Sequence, residues 1–442
     1  MTMELTLSQG AAHRVSGEPS AGRFVDCDPS LWMRPAETVT RPTRATEPTF
    51  DIVTDEAGFL ALEPEWENLR AQLREPRFSQ SFVWCRRGWE TTGRPRGRDL
   101  FILVMRVEGR AVLIWPLAIR RKRGLWRVAA PLGPEWTDYD PGLVQDSTRA
   151  VAHVRAAWDF LRKNCPADLI HIPHCREREP LHEAIGSDPT ARTVSTLPSP
   201  HVVLTQFPDW ASYWKARSRK TKDNVGRRSR RFAELGEVSF GLVEDRDEFE
   251  SLLEWTLARK RDWMDRTGLD NDFLRTAEFP DFLREMGAAR SAHEGLVMFA
   301  LKLDGRTVAT RIGALDSFRY EGFLEAQDPE FTDYSPGSII LVESLKWCHQ
   351  RGLDLDFRIG AEEYKRMWAT GDRPATTYRL AIRRWGRVLL RLSTGHENAR
   401  VAKDRVRVSI PAEIRRKVKQ VVGGRLSAAT GTKTLAKTST SR

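Results

Sequence analysis

The sequence predicts an α+β protein in which one folded unit occurs twice, each copy a mixed, mostly antiparallel sheet flanked by helices. Two short matches in register carry this prediction. Glu108–Val112 resembles Asp304–Val308, 196 residues later, and Thr137–Gly142 resembles Thr332–Gly337, 195 residues later. Two matches at nearly the same separation indicate an internal duplication.

The pattern around these matches repeats as well. In each copy an acidic residue and a glycine separate two apolar runs, which is typical of a β-hairpin turn. A helical pattern and a short apolar strand follow the Pro-Gly element in each copy. The helical positions are Val151, Val154, Trp158 and Leu161 in the first copy, and Leu341, Leu345 and Cys348 in the second. The predicted unit is therefore hairpin, strand, Pro-Gly loop, helix and strand.

The length of 442 residues fits two domains with tails. Residues 1–47 are rich in Ser, Thr, Pro and Gly, and we expect a disordered arm there. The first domain is expected over 48–197, the second over 201–397, and a basic helix with a disordered tail over 398–442. Pro198 and Pro200 indicate the linker between the two domains.

The net charge of +11 is concentrated in two places. From residue 401 onward, 11 Lys or Arg face two acidic residues, a surplus of nine. Between Lys215 and Arg231, nine cationic side chains surround the single acidic residue Asp223. This second cluster either binds an anion or forms a solvated helix face. Residues 1–400 together carry a net charge of only +2, so the charge does not by itself predict a nucleic-acid-binding protein.

The cysteines predict neither a disulfide framework nor a zinc finger, because all five are scattered without a C-x-x-C pair. His171, His174 and Cys175 lie close together, but their spacing does not match a usual metal site. We expect no bound metal. The sequence also contains neither a secretory signal pattern nor an uninterrupted apolar stretch of membrane-spanning length. A cytoplasmic protein is therefore expected.

The order of elements resembles the GNAT acyltransferase fold. The runs Ser335–Ser338 and Asp356–Trp368 resemble the duplicated GNAT proteins of the CelD-like family, which is associated with cellulose and exopolysaccharide synthesis. Trp66, the segment Phe78–Trp84 and the basic run Arg227–Arg231 agree with this resemblance. More distantly, the layout is similar to the Fem-type transferases, which use aminoacyl-tRNA donors.

The resemblance implies acyl-CoA, most simply acetyl-CoA, as the co-substrate. Ser335, Pro336, Gly337 and Ser338 begin the predicted helix, where free N–H groups suit a pyrophosphate. The competing interpretation is a plain capped helix start. The usual GNAT signature Q/R-x-x-G-x-G/A is absent. In the first copy Asp140 replaces Ser335 and would repel a phosphate, so that copy is expected to be non-catalytic, or a wall for the acceptor.

Direct attack on a thioester needs a base for the acceptor and an acid for the leaving thiolate. Glu321 and Glu325 lie four residues apart on a predicted strand, so we expect both on one face as candidate bases. A charged outer strand face would explain them equally. Asp356 ends an apolar strand and is a third candidate, with a structural ion pair to Arg358 as the alternative.

The remaining candidate residues are an acid and a set of cations. Tyr364 is placed by the resemblance where a tyrosine protonates the thiolate in many GNAT enzymes. Lys365 could hold an anionic acceptor or a donor phosphate, and Arg358, Arg228 and Arg231 are expected to bind substrate. A packed aromatic ring and surface cations are the alternatives.

Three functions remain open at this stage. The first is transfer of an acyl group, which the resemblance implies is acetyl in the simplest case, from acyl-CoA to an amine or hydroxyl of a carbohydrate, a polysaccharide precursor or a small molecule. The second changes the donor to aminoacyl-tRNA, held by the basic cluster and tail. The third is a non-catalytic scaffold of a polysaccharide synthesis complex, whose basic tail contacts an anionic membrane surface at the inner membrane.

Overall fold

The computed structural model describes residues 47–122, 126–134, 136–268, 272–289, 294–388 and 390–391. The arm expected before residue 47 and the basic tail expected after residue 397 lie outside these ranges. Within them, no helix combines the length and apolar character needed to cross a membrane. The same ranges contain no group of three or more His, Cys, Asp or Glu side chains arranged to hold a metal ion.

The first half of the chain consists of strands with helices on either side. Its strands are β1 (Thr49–Val53), β2 (Asp99–Val107), β3 (Arg110–Lys122), β4 (Trp126–Pro131), β5 (Leu143–Val144), β6 (Leu169–Arg176) and β7 (Arg192–Leu197). Its helices are α1 (Glu56–Ala61), α2 (Glu63–Ala71), α3 (Phe82–Gly88), α4 (Ala150–Asn164) and α5 (Pro180–Gly186).

The second half follows the same plan with longer helices. Its strands are β8 (Pro200–Val202), β9 (Val238–Leu242), β10 (Gly295–Leu303), β11 (Arg306–Leu315), β12 (Arg319–Gln327), β13 (Asp354–Asp356), β14 (Gly371–Asp372) and β15 (Ala375–Ala381). Its helices are α6 (Trp210–Lys215), α7 (Arg219–Ala233), α8 (Arg246–Thr267), α9 (Glu278–Ala288), α10 (Pro336–Gln350) and α11 (Glu363–Trp368).

The strands form two sheets, which confirms the predicted fold class. The first sheet has the order β1-β2-β3-β4-β6-β15-β7, with β5 paired to β3, and the second has the order β14-β8-β13-β12-β11-β10-β9. The only parallel pairs in these sheets are β4 with β6 and β12 with β13. Both predicted hairpins, β2-β3 and β10-β11, are confirmed. Their turns, Glu108-Gly109 and Asp304-Gly305, have positive φ at both residues, as type I′ turns require.

One strand of the second half belongs to the sheet of the first half. β15 lies within the range expected for the second domain, yet it pairs with β6 and β7 in the first sheet. The chain passes between the sheets twice, between β7 and β8 and between β14 and β15. The two crossings are hydrogen-bonded to each other, because Ser199 N donates to Asp372 Oδ1 at 2.7 Å and Arg373 N donates to Ser199 O at 3.2 Å. The sheets are therefore tied together at the linker.

A hydrophobic core lies between the sheets and contains residues from both halves. Helices α1–α3 and α8–α9 fill this layer together with inward-facing residues of β2, β3 and β10–β12. Ring pairs cross between the halves, with Trp84 against Phe282 at 4.9 Å and Trp136 against Phe279 at 5.0 Å between centroids. A second core lies under α10 and a third under α4 and α5, on the outer faces of the two sheets.

The copies differ after the Thr-Asp-Tyr element. In the second copy this element ends a short 3₁₀ turn, and α10 begins directly at Pro336. In the first copy Asp140 Oδ1 accepts a hydrogen bond from Gly142 N at 2.9 Å, β5 follows, and α4 begins only at Ala150. The predicted helix after the Pro-Gly loop is nevertheless present in both copies, since α4 contains Val151, Val154, Trp158 and Leu161. In the first copy the Asp140 turn directs the chain into the short strand β5 before this helix begins.

Candidate functional site

At the start of α10 the backbone is strained, and one of its N–H groups is already hydrogen-bonded. Ser335 precedes the helix with φ of 52°, in the left-handed region, and its side chain makes no capping hydrogen bond. Pro336 has no N–H to offer, and Gly337 N donates to Gln327 Oε1 at 3.0 Å. Attraction for an anion at this helix end thus comes mainly from the helix dipole and from neighbouring cations. The plain capped start is not formed, since the Ser335 side chain does not cap the helix and Gln327 from β12 accepts the Gly337 N–H instead.

A cavity of about 670 Å³ opens at this helix start, and we call it the α10 cavity. It is lined by residues of α7, β12, α10 and α11, including Ser335, Gly337 and Ser338. Its cations are Lys220, Arg228 and Arg366, and its carboxylates are Glu325 and Glu363. Its volume is in the range that holds a drug-sized ligand.

Two apolar side chains form a wall of the α10 cavity. Tyr364 and Met367 on α11 remain 41% and 45% exposed, respectively, and both line it. Arg231, expected to bind substrate, instead lies on α7 over the ring of Tyr334, with 5.3 Å from its guanidinium carbon to the ring centroid. Of the two predicted α7 arginines, only Arg228 lines the cavity.

The β12 strand has an unpaired stretch beside the α10 cavity. β12 pairs with β13 only from Arg319 to Glu321, because β13 ends at Asp356. Past that point, no strand among the described residues pairs with residues 322–327 on this side. Backbone groups on this edge are therefore available to an extended ligand that enters between the two strands.

A second cavity, of about 390 Å³, lies where the two halves meet, and we call it the interface cavity. The first half contributes Trp136, Thr137, Asp138 and His174. The second half contributes residues of α8, β12 and the segment 357–365. Glu325 and Tyr364 line both cavities. Groups bound in the two cavities would therefore meet at these two side chains.

The surroundings of Glu325 and Tyr364 suit proton transfer. Arg311 is buried and holds Glu325 Oε2 at 2.6 Å, which fixes the carboxylate and leaves Oε1 directed towards the start of α10. Burial, followed by the charge of Glu325, raises the pKa of Tyr364 above its usual value. The phenol is therefore protonated at neutral pH and can serve as an acid.

The prediction that Glu321 and Glu325 share one strand face is wrong. Between Ile312 and Gly313 the register of β11 with β12 shifts by one residue, so that Ile312 pairs with Leu324 and Gly313 pairs with Gly322. The extra residue is Phe323, and such a bulge reverses the alternation of side chains. Glu325 consequently shares the face of its partner Arg311, whereas Glu321 shares the opposite face with Ala314.

Glu321 and Asp356 belong to a buried polar cluster between the halves rather than to either large cavity. Asp356 accepts hydrogen bonds from Tyr139 Oη at 3.0 Å and from Arg358 N at 2.6 Å, and Arg176 lies 3.6 Å away. Burial would raise the pKa of Asp356, but Arg176 and the Arg358 N–H hold it below the usual value. Burial and the nearby charge of Asp356 raise the pKa of Glu321 to about 7.

The two predicted cations after Asp356 line the interface cavity but are already paired. The ion pair between Asp356 and the Arg358 side chain, the alternative to a functional role for Asp356, does not form, because β13 ends at Asp356 and Arg358 has φ of 60°. Its side chain instead contacts Asp138, with 2.8 Å from Nε to Oδ2. Lys365 is buried, donating to Ile359 O at 2.7 Å and pairing with Glu362 at 3.1 Å.

Strained backbone concentrates at these cavities. Among the residues that the structure describes, six non-glycine residues have positive φ, and three of them, His174, Ser335 and Arg358, line one of the two cavities. Such strain costs about 1–3 kcal/mol per residue and is typical of functional sites. Sequence reasoning overlooked Asp138, Lys260 and Arg311. Asp138 lies in the repeated Thr-Asp-Tyr element, which was a usable signal, but no local pattern distinguishes the other two.

The chain is similar to one family model and to several solved structures. Residues 219–366 match the family model of the acetyltransferase (GNAT) domain. The structure of FemX is similar at 11% identity with a TM-score of 0.54, over 75% of this chain and 98% of that one. A tandem GNAT protein from the clavulanic acid biosynthesis pathway aligns at 12% identity with a TM-score of 0.45, over 76% of this chain and 99% of that one. No curated protein matches the sequence. The matched residues contain α7, β12, the start of α10 and Tyr364, so the α10 cavity lies in the part of the chain that is similar to a GNAT acetyltransferase domain.

Proposed function

We propose that the protein transfers an acyl group, acetyl in the simplest case, from acyl-CoA in the α10 cavity to an amine or hydroxyl in the interface cavity. The observation that carries this proposal is that the two cavities meet at Glu325 and Tyr364. One cavity has the helix start and cations that suit a pyrophosphate. The other has polar groups from both halves that suit an acceptor.

The residues of the α10 cavity fit a CoA thioester. A Cβ atom at Gly337 would lie 2.7 Å from Glu325 Oε1 and 3.0 Å from Gln327 Oε1, so only glycine leaves this approach to the helix open. Lys220 and Arg228 would hold the phosphates, and the unpaired edge of β12 would hold the amide groups of the pantetheine arm. Tyr364 and Met367 would contact its apolar portions.

Transfer would proceed by direct attack. The acceptor nitrogen or oxygen attacks the thioester carbonyl, and Glu325 takes its proton as the new bond forms. The C–S bond then breaks, and Tyr364 gives its proton to the thiolate before it is reprotonated from solvent. Arg311 has a positioning role, because it fixes the Glu325 carboxylate at 2.6 Å.

The direct experiment is calorimetric titration of the purified protein with acetyl-CoA, succinyl-CoA and CoA. It is followed by an assay of thiol release with amines and sugars as acceptors. We expect all three nucleotides to bind at micromolar concentrations and at least one thioester to release thiol in an acceptor-dependent manner. Failure of all three to bind would contradict the proposal.

A second donor, aminoacyl-tRNA, is favoured by one observation. Helix α7 carries exposed cations outside the α10 cavity, among them Arg219, Arg227, Arg230 and Arg231. A donor with many phosphates would contact this face and give binding that weakens steeply with salt. Activity with a cell extract that is lost after ribonuclease treatment, without any CoA binding, would favour this donor.

A scaffold function would instead be favoured if cells that carry both Glu325→Gln and Tyr364→Phe kept full function.

A further inference from the structure

Lys260 distinguishes the interface cavity from an ordinary polar cleft. Four cationic side chains line this cavity, and three of them have a carboxylate partner. The pairs are Arg311 with Glu325 at 2.6 Å, Arg358 with Asp138 at 2.8 Å and Lys365 with Glu362 at 3.1 Å. The fourth, Lys260, is not part of any such pair. The side chains that line the cavity therefore carry one more positive than negative charge.

The surroundings of Lys260 leave its ammonium group available. It lies on α8, and its Nζ is 4.5 Å from the ring centroid of Trp263. Within the described part of the chain, no carboxylate lies within 4.0 Å of it. Burial lowers the pKa of Lys260, while the charges of Glu325 and Glu362 raise it. A partly buried ammonium group without a bonded counter-charge is costly unless a ligand supplies one.

The cavity that contains Lys260 also has aromatic side chains in its lining. Trp136, Phe273, Phe323 and Phe357 line the interface cavity, and Phe273 packs against Phe279 at 4.9 Å. Aromatic faces lower the dielectric locally, which strengthens an ion pair formed against them. They also offer flat faces to a ring or hydrocarbon chain. The cavity therefore suits a ligand with an apolar body and one anionic group.

We propose that the acceptor is acidic: an amine or alcohol that also carries a carboxylate or phosphate group, which pairs with Lys260 while its nucleophile lies beside Glu325 and Tyr364. This inference rests on the proposed acyl transfer and specifies its substrate class. Lys260 is a specificity-determining residue, since it binds a part of the acceptor that does not react. The acidic group keeps its charge throughout, and the proton transfers of the reaction are unchanged.

The test compares matched acceptors that differ only in the anionic group. Phenylalanine is compared with phenylalaninamide, and glucosamine 6-phosphate with glucosamine, at saturating acetyl-CoA. The full-length protein, Lys260→Met and the control Lys163→Met, at an exposed position on α4, are assayed side by side. Binding of the same four compounds to the CoA-bound protein is followed by tryptophan fluorescence, to which Trp136 in the cavity wall contributes. The fluorescence measurement also detects compounds that bind but are not acylated.

We expect the wild-type protein to prefer the acidic member of at least one pair by tenfold or more. Lys260→Met should remove this preference by raising KM or Kd for that compound, with kcat changed less than threefold and the melting temperature unchanged or raised. Lys163→Met should behave as the wild type. The responding pair identifies the anionic group as carboxylate or phosphate.

Two results would overturn the inference while acyl transfer still stands. One is equal or undetectable binding of acidic and neutral members by the wild-type protein that nevertheless binds acetyl-CoA. The other is a Lys260→Met protein that loses kcat and one limb of its pH profile at unchanged KM, since that would make Lys260 a base. Absence of CoA binding would instead remove the underlying function as well.

Discussion

Glu325 and Tyr364 are the residues for which the chemistry and the geometry agree best, because both line the α10 and interface cavities. We expect Glu325→Gln to lower kcat by about 10²–10⁴-fold, the usual contribution of a positioned general base. Tyr364→Phe should lower kcat as well, with CoA affinity nearly unchanged, because its ring remains. Steady-state kinetics and calorimetry measure both effects, with Glu234→Gln at an exposed position as control. Unchanged kcat in both variants would refute these roles.

Glu321 leads to a prediction about stability and pH. Its pKa is about 7 in the folded protein, against an ordinary value of 4.5. Because the folded state then holds a proton that the unfolded chain releases, the free energy of unfolding should fall as pH rises from about 4.5 to 7. For one such group the loss is up to roughly 3 kcal/mol.

Glu321→Gln should flatten this pH dependence and leave the protein more stable than the wild type above pH 7. Urea denaturation at a series of pH values measures the effect, and Glu234→Gln is the matched control. A Gln variant whose stability changed between pH 5 and pH 7.5 with the same slope as that of the wild type would contradict the assignment.

The start of helix α10 leads to a prediction about CoA binding. Gly337→Ala should weaken CoA binding by tenfold or more, since the added Cβ would meet Glu325 Oε1 and Gln327 Oε1 at the mouth of the helix. Gly226→Ala on α7 is the control, because its nearest neighbour would be a flexible arginine side chain at 4.0 Å. Calorimetry with CoA and thermal unfolding separate loss of binding from loss of fold. Equal affinity in the two variants would argue against a donor at this helix start.

Strand β15, which joins the two halves, leads to a prediction about the stability of the whole molecule. It lies between β6 and β7, so Arg379 faces a partner on both sides, His171 and Arg192. Arg379→Pro should cost about 3 kcal/mol or more, because proline removes a ladder hydrogen bond in a central strand. Arg379→Ala keeps the N–H and serves as control.

The shared core between the sheets predicts that both halves respond together to this change. Loss of CoA binding, which reports on the second half, should coincide with the change in far-ultraviolet circular dichroism across a denaturant series. A second half that still bound CoA after a separate first unfolding transition would show that the halves are independent.

The sequence predicted the features that depend on short stretches of chain. The hairpins, helices α4 and α10, the basic helix α7 and the polar groups at Ser335–Ser338 follow from turn chemistry and apolar periodicity, which are local properties. Glu325 was found from its position on a predicted strand, Arg228 from the basic cluster and Tyr364 from the resemblance to the GNAT fold, and all three line the α10 cavity.

Only the tertiary structure decided how these stretches meet. The bulge at Phe323 separates Glu321 from Glu325, the left-handed turn at Arg358 removes its pairing with Asp356, and β15 joins the other sheet. Asp138 and Lys260 meet in one cavity although they lie 122 residues apart. Each of these outcomes depends on strand register, backbone strain or packing between the halves. The spacing of nearby residues in the sequence predicts none of these three properties.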